Sequence, residues 1–105
     1  MAFTGTEDQF ITLADGSTMT KNYRNTLSSA ADTIAHYFSK DTINGLLNQT
    51  DCVGIRIYYA LDSVGHKQLV ACGVYANGND IYTGLIADKS ICCPTNCSSA
   101  NPLNS

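Results

Sequence analysis

The sequence predicts an α+β fold in which two helices accompany a three-stranded antiparallel meander. The strongest observation is the stretch at 52–61, where apolar and other side chains alternate, as is typical of a strand. Two further strands are predicted at about 67–76 and 80–87, after the turn sequences "DSVGH" and "NGND". Two segments ahead of the meander, at about 17–27 and 40–49, carry apolar residues at helical spacing.

The first predicted helix begins after a cap at Ser17 or Thr18, and Met19, Tyr23 and Leu27 recur on one face. The second helix begins after a cap at Ser39, and its predicted buried stripe consists of Ile43, Leu46 and Leu47.

Two shorter segments alternate more weakly. The stretch "QFITLADG" predicts a short strand that ends at Gly16. The stretch "TIAHYF" predicts another, with Ile34, His36 and Phe38 on one side.

The central strand at 52–61 has two distinct faces. We expect one of them to belong to the core, and its residues are Val53, Ile55, Ile57, Tyr59 and Leu61. The opposite face carries Arg56 and Tyr58. With Tyr82, and with Arg24 from the first helix, these residues predict an interaction patch. The alternative is that the C-terminal tail or the first helix covers this face and that Arg56 is held by a carboxylate or by backbone carbonyls.

The predicted hairpin bears on the five cysteines, whose odd number leaves at least one thiol unpaired within a monomer. A five-residue loop pairs Leu61 with a residue near Lys67 and places Cys72 opposite Arg56. Cys72 then lies about 13 Å along the strand from Cys52. Because a disulfide needs Cα atoms within about 7 Å, a Cys52–Cys72 bond is excluded.

Three more cysteines lie in "ICCPTNC", at Cys92, Cys93 and Cys97. The spacing from Cys93 to Cys97 allows a disulfide to close, but it is not the C-x₂-C of thiol oxidoreductases. It also fits a pair of zinc ligands, and the remaining ligands would come from among Cys52, Cys72, Cys92, His36 and His66. Cys72, within the apolar run "LVACGVY", is expected to be a buried and inert thiol.

Composition narrows the function classes. Charged residues make up 14% of the chain, and the net charge is −3. Serine, threonine and asparagine number 29 of the 105 residues. A surface of this kind repels its neighbours weakly and tolerates self-association or docking. The alternative is that the composition only reflects an amino-acid bias of the source lineage. The six basic residues are scattered, so we expect no binding to nucleic acid.

Location is predicted from what the sequence lacks. No apolar run approaches the length of a membrane span, and the start has no positively charged and apolar leader pattern. We therefore expect a cytoplasmic protein, in which thiols are normally reduced. Residues 1–105 are predicted to form one domain, with 88–105 as a tail packed on it.

No catalytic motif is recognisable: there is no nucleophile elbow, phosphate-binding glycine loop or calcium loop. The carboxylates lie mostly at caps and turns. We expect no catalytic residues and no cofactor, zinc being the one alternative, and an enzyme is the less favoured class.

The stretches "CVGIRIYYALD", "KQLVACGVYANGND" and "CPTNCSSANPL" resemble a family of small uncharacterised bacterial proteins of the Bacteroidota type. The resemblance begins near Thr18 and includes Tyr23-Arg24, whereas Cys72 and Cys92 depart from the family pattern. It implies that the cysteines of interest are Cys52, Cys93 and Cys97, with no known activity attached.

Two hypotheses follow. The first is a non-enzymatic interaction or self-assembling protein, with a protein partner or a homo-oligomer as the assembled state. The second is a zinc-binding or thiol-dependent protein that uses Cys52, Cys93 and Cys97, with His36 as a further candidate ligand.

Overall fold

A computed structural model describes residues 2–105, which form two compact units. The first, here called the sheet unit, contains the residues up to Glu7 together with Phe38–Ser90. The second, here called the tail unit, contains Asp8–Tyr37 and Ile91–Ser105.

The chain contains two helices and five strands within the described residues. In order they are α1 (Leu13–Arg24), β1 (Ala35–Tyr37), α2 (Lys40–Leu47), β2 (Cys52–Leu61), β3 (Lys67–Tyr75), β4 (Asp80–Ala87) and β5 (Ile91–Cys93). The predicted α+β class with a three-stranded meander is confirmed. The predicted bounds of β2 and β4 agree with the structure, β3 is one residue shorter, and α2 ends at Leu47.

The start of α1 differs from the prediction. Thr12 is the cap, and its hydroxyl oxygen accepts a hydrogen bond of 3.1 Å from the Asp15 amide. The predicted strand up to Gly16 and the predicted cap at Ser17 or Thr18 are therefore wrong. A threonine cap with an acidic residue in the first turn stabilises a helix start, and here it prevails over a weak alternation.

In the sheet unit the strand order is β2-β3-β4, and both pairings are antiparallel. Leu61 pairs with Lys67, and Arg56 lies opposite Cys72, as the hairpin argument predicts. Cys52 pairs with Tyr75, and Cys52 and Cys72 are both free thiols, which confirms that no disulfide joins them.

The core of the sheet unit forms where α2 packs on the sheet. Ser39 caps α2 as predicted by accepting a hydrogen bond from the Thr42 amide, and Leu46 of this helix is only 1% exposed. Ala71 and Ile81 are buried on the face that Ile55 shares, whereas Cys72 and Val74 are buried on the opposite face, which Arg56 shares. Ile43 of the predicted stripe is half-buried, and Leu47 is exposed.

The tail unit contains the second sheet, in which β1 pairs antiparallel with β5. His36 lies opposite Cys92, and the Ile34 amide donates a 2.8 Å hydrogen bond to the Cys93 carbonyl. The short strand predicted around His36 is thus present. Between residues 2 and 105 neither helix has the length and apolar character that a membrane crossing would require.

Candidate functional site

The half of β2 nearest the first hairpin turn exposes an apolar surface. Ile57, Tyr59 and Leu61 are 51%, 96% and 70% exposed. These three side chains point to the same face of the strand, because alternate residues of a strand share a face. We call them the open face. The expectation that this whole face of β2 belongs to the core is therefore wrong for these three residues, and Val53 and Ile55 of the same face are half-buried.

The extent of cover explains the difference. Within the sheet unit, α2 contacts all three strands of the meander, but it has only 8 residues. At 1.5 Å per residue it spans about 12 Å, whereas the ten residues of β2 span about 33 Å. Alternation in the sequence predicts that a face is apolar, but not that another element covers it.

The opposite face of β2 carries a polar cluster. Asp80 accepts hydrogen bonds from the Arg56 guanidinium and the Tyr58 hydroxyl. Arg56 also donates a 3.1 Å bond to the Gly78 carbonyl, and its guanidinium carbon lies 5.9 Å from the centre of the Phe3 ring. The tyrosine and arginine bonds hold the pKa of Asp80 below its usual value, and the bond to Asp80 raises the pKa of Tyr58.

The contacts of Arg56 agree with one part of the alternative, because a carboxylate and a backbone carbonyl hold its guanidinium. Tyr82 of β4 is exposed, but no described contact joins its ring to the cluster. Arg24 lies in the tail unit, where it donates hydrogen bonds of 2.6 Å and 3.2 Å to the carbonyls of Leu103 and Ser105. Each arginine of the predicted patch therefore fastens a segment of its own unit.

The tail unit contains three of the five cysteines, two of which are bonded to each other. Cys93 and Cys97 form a disulfide with a Cα–Cα distance of 4.8 Å, so the closure allowed by their spacing occurs. The expected cytoplasmic location, where thiols are normally reduced, had argued against this disulfide. Cys93 is buried and Cys97 is exposed, so the bond joins the inner end of β5 to the surface turn that follows it.

Cys92 and His36 form a second feature of the tail unit. The Cys92 sulfur lies 3.6 Å from His36 Nδ1, across the β1–β5 pairing. Burial lowers the pKa of His36 below its usual value, which favours the neutral imidazole. The family resemblance leaves Cys92 out of the cysteines of interest. Its proximity to His36 depends on the β1–β5 register, which no local sequence pattern reveals.

A groove of about 730 Å³ lies in the tail unit. His36, Cys93 and Cys97 line it, together with Met19 and Tyr23 of α1. Cys52, the other predicted cysteine of interest, belongs to the sheet unit, where its thiol lies 3.2 Å from the Gly54 carbonyl oxygen. Among residues 2–105 no three acidic, histidine or cysteine side chains lie close enough together to hold a metal ion.

Cys72 is buried, and burial raises the pKa of its thiol, as expected for an inert cysteine.

No family model, curated protein or solved structure matches the chain, so the resemblance to a bacterial family stays a prediction.

Proposed function

We propose that this protein is a small, non-enzymatic interaction module that assembles with protein through the open face of β2. The observation that carries the proposal is the exposure of Ile57, Tyr59 and Leu61 side by side on a regular strand. Single exposed apolar residues are ordinary on protein surfaces, but contiguous ones mark places where another molecule docks.

Two further observations support the proposal. Charged residues make up only 14% of the chain, so two such surfaces approach with little electrostatic repulsion. The charged groups on the other face of β2 are occupied, since Arg56 and Asp80 bind each other. The apolar open face is therefore the part of β2 with unused binding capacity.

Sedimentation velocity over a micromolar to millimolar concentration series tests the proposal. The wild-type protein is expected to associate, or to retain a partner protein purified with it, and the Tyr59→Ser/Leu61→Ser variant is expected to lose that assembly. Val64→Ser is the matched control, because Val64 is equally exposed but lies in the turn beyond the strand. A monomeric wild type without a partner, or a variant that assembles like the wild type, would refute the proposal.

A second candidate function is zinc binding or thiol chemistry in the tail unit. It is supported by His36, Cys93 and Cys97 lining one groove, where these side chains would have to move closer together to hold zinc. Cys93 and Cys97 are bonded to each other, so zinc binding requires their reduction. Native mass spectrometry of the reduced protein with added zinc tests it: uptake of one ion by the wild type and none by Cys97→Ser supports the candidate. Equal uptake by both, or none by either, would contradict it.

A further inference from the structure

β2 is an edge strand of the meander, and after a register shift between Cys52 and Gly54 it pairs with β3 without interruption as far as Leu61. β3 pairs with one side of β2, and no other strand within residues 2–105 pairs with its outer side. The opposite edge of the sheet is interrupted, because the β3–β4 register jumps from Cys72↔Ile86 to Gly73↔Ile81. Irregular edges resist pairing with another chain, whereas long regular edges invite it. Of the two edges, only that of β2 is suited to accept a further strand.

The hairpin turn shows which backbone groups of β2 point outward. The Asp62 amide donates to the His66 carbonyl, next to the pair Leu61↔Lys67. Hydrogen-bonded and non-hydrogen-bonded pairs alternate along an antiparallel ladder. Ala60 and Tyr58 therefore bond to β3, whereas the N–H and C=O groups of Leu61, Tyr59 and Ile57 point away from it.

The residues with outward backbone groups are thus the residues of the open face. The segment Ile57–Leu61 contains no charged residue and no proline, the devices by which natural edge strands avoid pairing. The charges on both sides of the segment are engaged. Arg56 binds Asp80 on the other face, and the Asp62 carboxylate accepts hydrogen bonds from backbone amides of the turn. Hydrogen-bonding capacity and apolar side chains coincide on these three residues.

We propose that the occupant of this edge is a second copy of the chain, whose β2 pairs antiparallel with the first about a twofold axis at Tyr59. This inference rests on the proposed function and specifies its partner. In this register Ile57 faces Leu61 of the second copy, and Tyr59 faces its own equivalent. Each of the three residues donates one backbone hydrogen bond and accepts one, and the two meanders join into one sheet with a continuous apolar face.

A second copy suits this edge because the edge is self-complementary. All three outward residues are apolar, so reversing the segment about Tyr59 again places apolar beside apolar. Closed pairing about a twofold axis uses the same surface on both copies and occupies both β2 edges, so assembly through this edge stops at the dimer.

Amide hydrogen exchange measured by NMR tests the pairing on the unmodified protein. The exchange rates are compared between a concentration at which the protein is monomeric and one at which it is associated. The amides of Ile57, Tyr59 and Leu61 are expected to exchange at least tenfold more slowly in the associated state. The amides of Tyr58 and Ala60 serve as the matched control, because they bond to β3 at every concentration. Association without protection of the first three amides would overturn edge pairing while leaving the proposed function intact.

Disulfide trapping tests the register. The experiment starts from a background variant in which the three free cysteines are replaced (Cys52→Ser, Cys72→Ala and Cys92→Ser) and the Cys93–Cys97 disulfide is kept. In it, Tyr59→Cys is expected to form a covalent dimer on mild oxidation, because paired Cα atoms lie about 5.5 Å apart. Leu61→Cys is expected to remain uncrosslinked, because the two Leu61 positions lie about 13 Å apart along the strands.

The outcomes separate the two proposals. A covalent dimer through Leu61→Cys rather than Tyr59→Cys would refute the register centred on Tyr59. A protein that stays monomeric, yet binds a different protein in a manner abolished by Tyr59→Ser/Leu61→Ser, would refute the second copy as occupant while supporting the interaction function. A monomer with no such binding would refute both.

Discussion

Removal of the Cys93–Cys97 disulfide is expected to destabilise the tail unit by about 2 kcal/mol. The bond joins residues four apart in sequence, so it closes a loop of about five residues in the unfolded chain. Loop-closure entropy for that length amounts to about 2 kcal/mol at room temperature. Without the bond the unfolded ensemble regains this freedom, and the loss of free energy of unfolding should be of that size.

The Ile34 amide is the reporter for this prediction. It donates to the Cys93 carbonyl, so it exchanges with solvent only when the β1–β5 pairing opens. A loss of about 2 kcal/mol corresponds to exchange about 30-fold faster, and urea denaturation followed by circular dichroism should give a matching fall in the midpoint. Cys97→Ser is the preferred variant, because Cys97 is exposed and the substitution leaves the buried Cys93 in place.

Reductant supplies the internal control. Reducing the wild type should reproduce the exchange rate of Cys97→Ser, and the variant itself should not respond to reductant. Cys92→Ser keeps the bond and should respond like the wild type. If oxidised wild type, reduced wild type and Cys97→Ser all exchange at the same rate, the bond does not stabilise the tail unit and the reasoning is refuted.

The remaining predictions concern the sheet unit, and each is measured by urea denaturation. Leu46→Ala should lower the free energy of unfolding by about 3 kcal/mol, because it leaves a cavity under α2, whereas the exposed Leu47→Ala should change it by less than about 1 kcal/mol. Gly73→Ala should cost about 1–3 kcal/mol, because its Cβ would lie 2.8 Å from Gln49 Nε2, and hydrogen bonds to Leu46 and Leu85 hold the Gln49 side chain in place. Gly54→Ala, whose Cβ meets nothing within 4 Å, should cost clearly less, and equal costs would contradict the packing argument. The wild type should lose stability as pH falls below about 4, and Asp80→Asn should lose less. A carboxyl whose pKa is lowered in the folded state stabilises the protein above its unfolded pKa, and this benefit disappears as pH falls through the lower, folded pKa. Parallel pH profiles for the wild type and Asp80→Asn would contradict this role of Asp80.

Much of the sheet unit could be predicted because its order is local. The apolar alternation of β2 and the need for a turn after Leu61 fix the hairpin register, and with it the separation of Cys52 from Cys72. The start of α1 was harder, since Thr12 as a cap competes with an alternating pattern that a strand would share. The approach of Cys92 to His36 could not be found locally, because their strands are more than fifty residues apart in sequence.

The open face shows most clearly what a pattern leaves undetermined. Ile55 and Ile57 stand at equivalent positions of one alternation, yet Ile55 is half-buried and Ile57 is exposed. The difference lies in the length of α2, which is too short to follow β2 to its end. A strand that continues beyond its cover gains nothing within the sheet unit from apolar residues there, because exposed apolar side chains do not contribute burial energy. Ile57, Tyr59 and Leu61 therefore make most sense as residues that contact a partner, and in the proposed dimer each of them gains an apolar neighbour across the new strand pair.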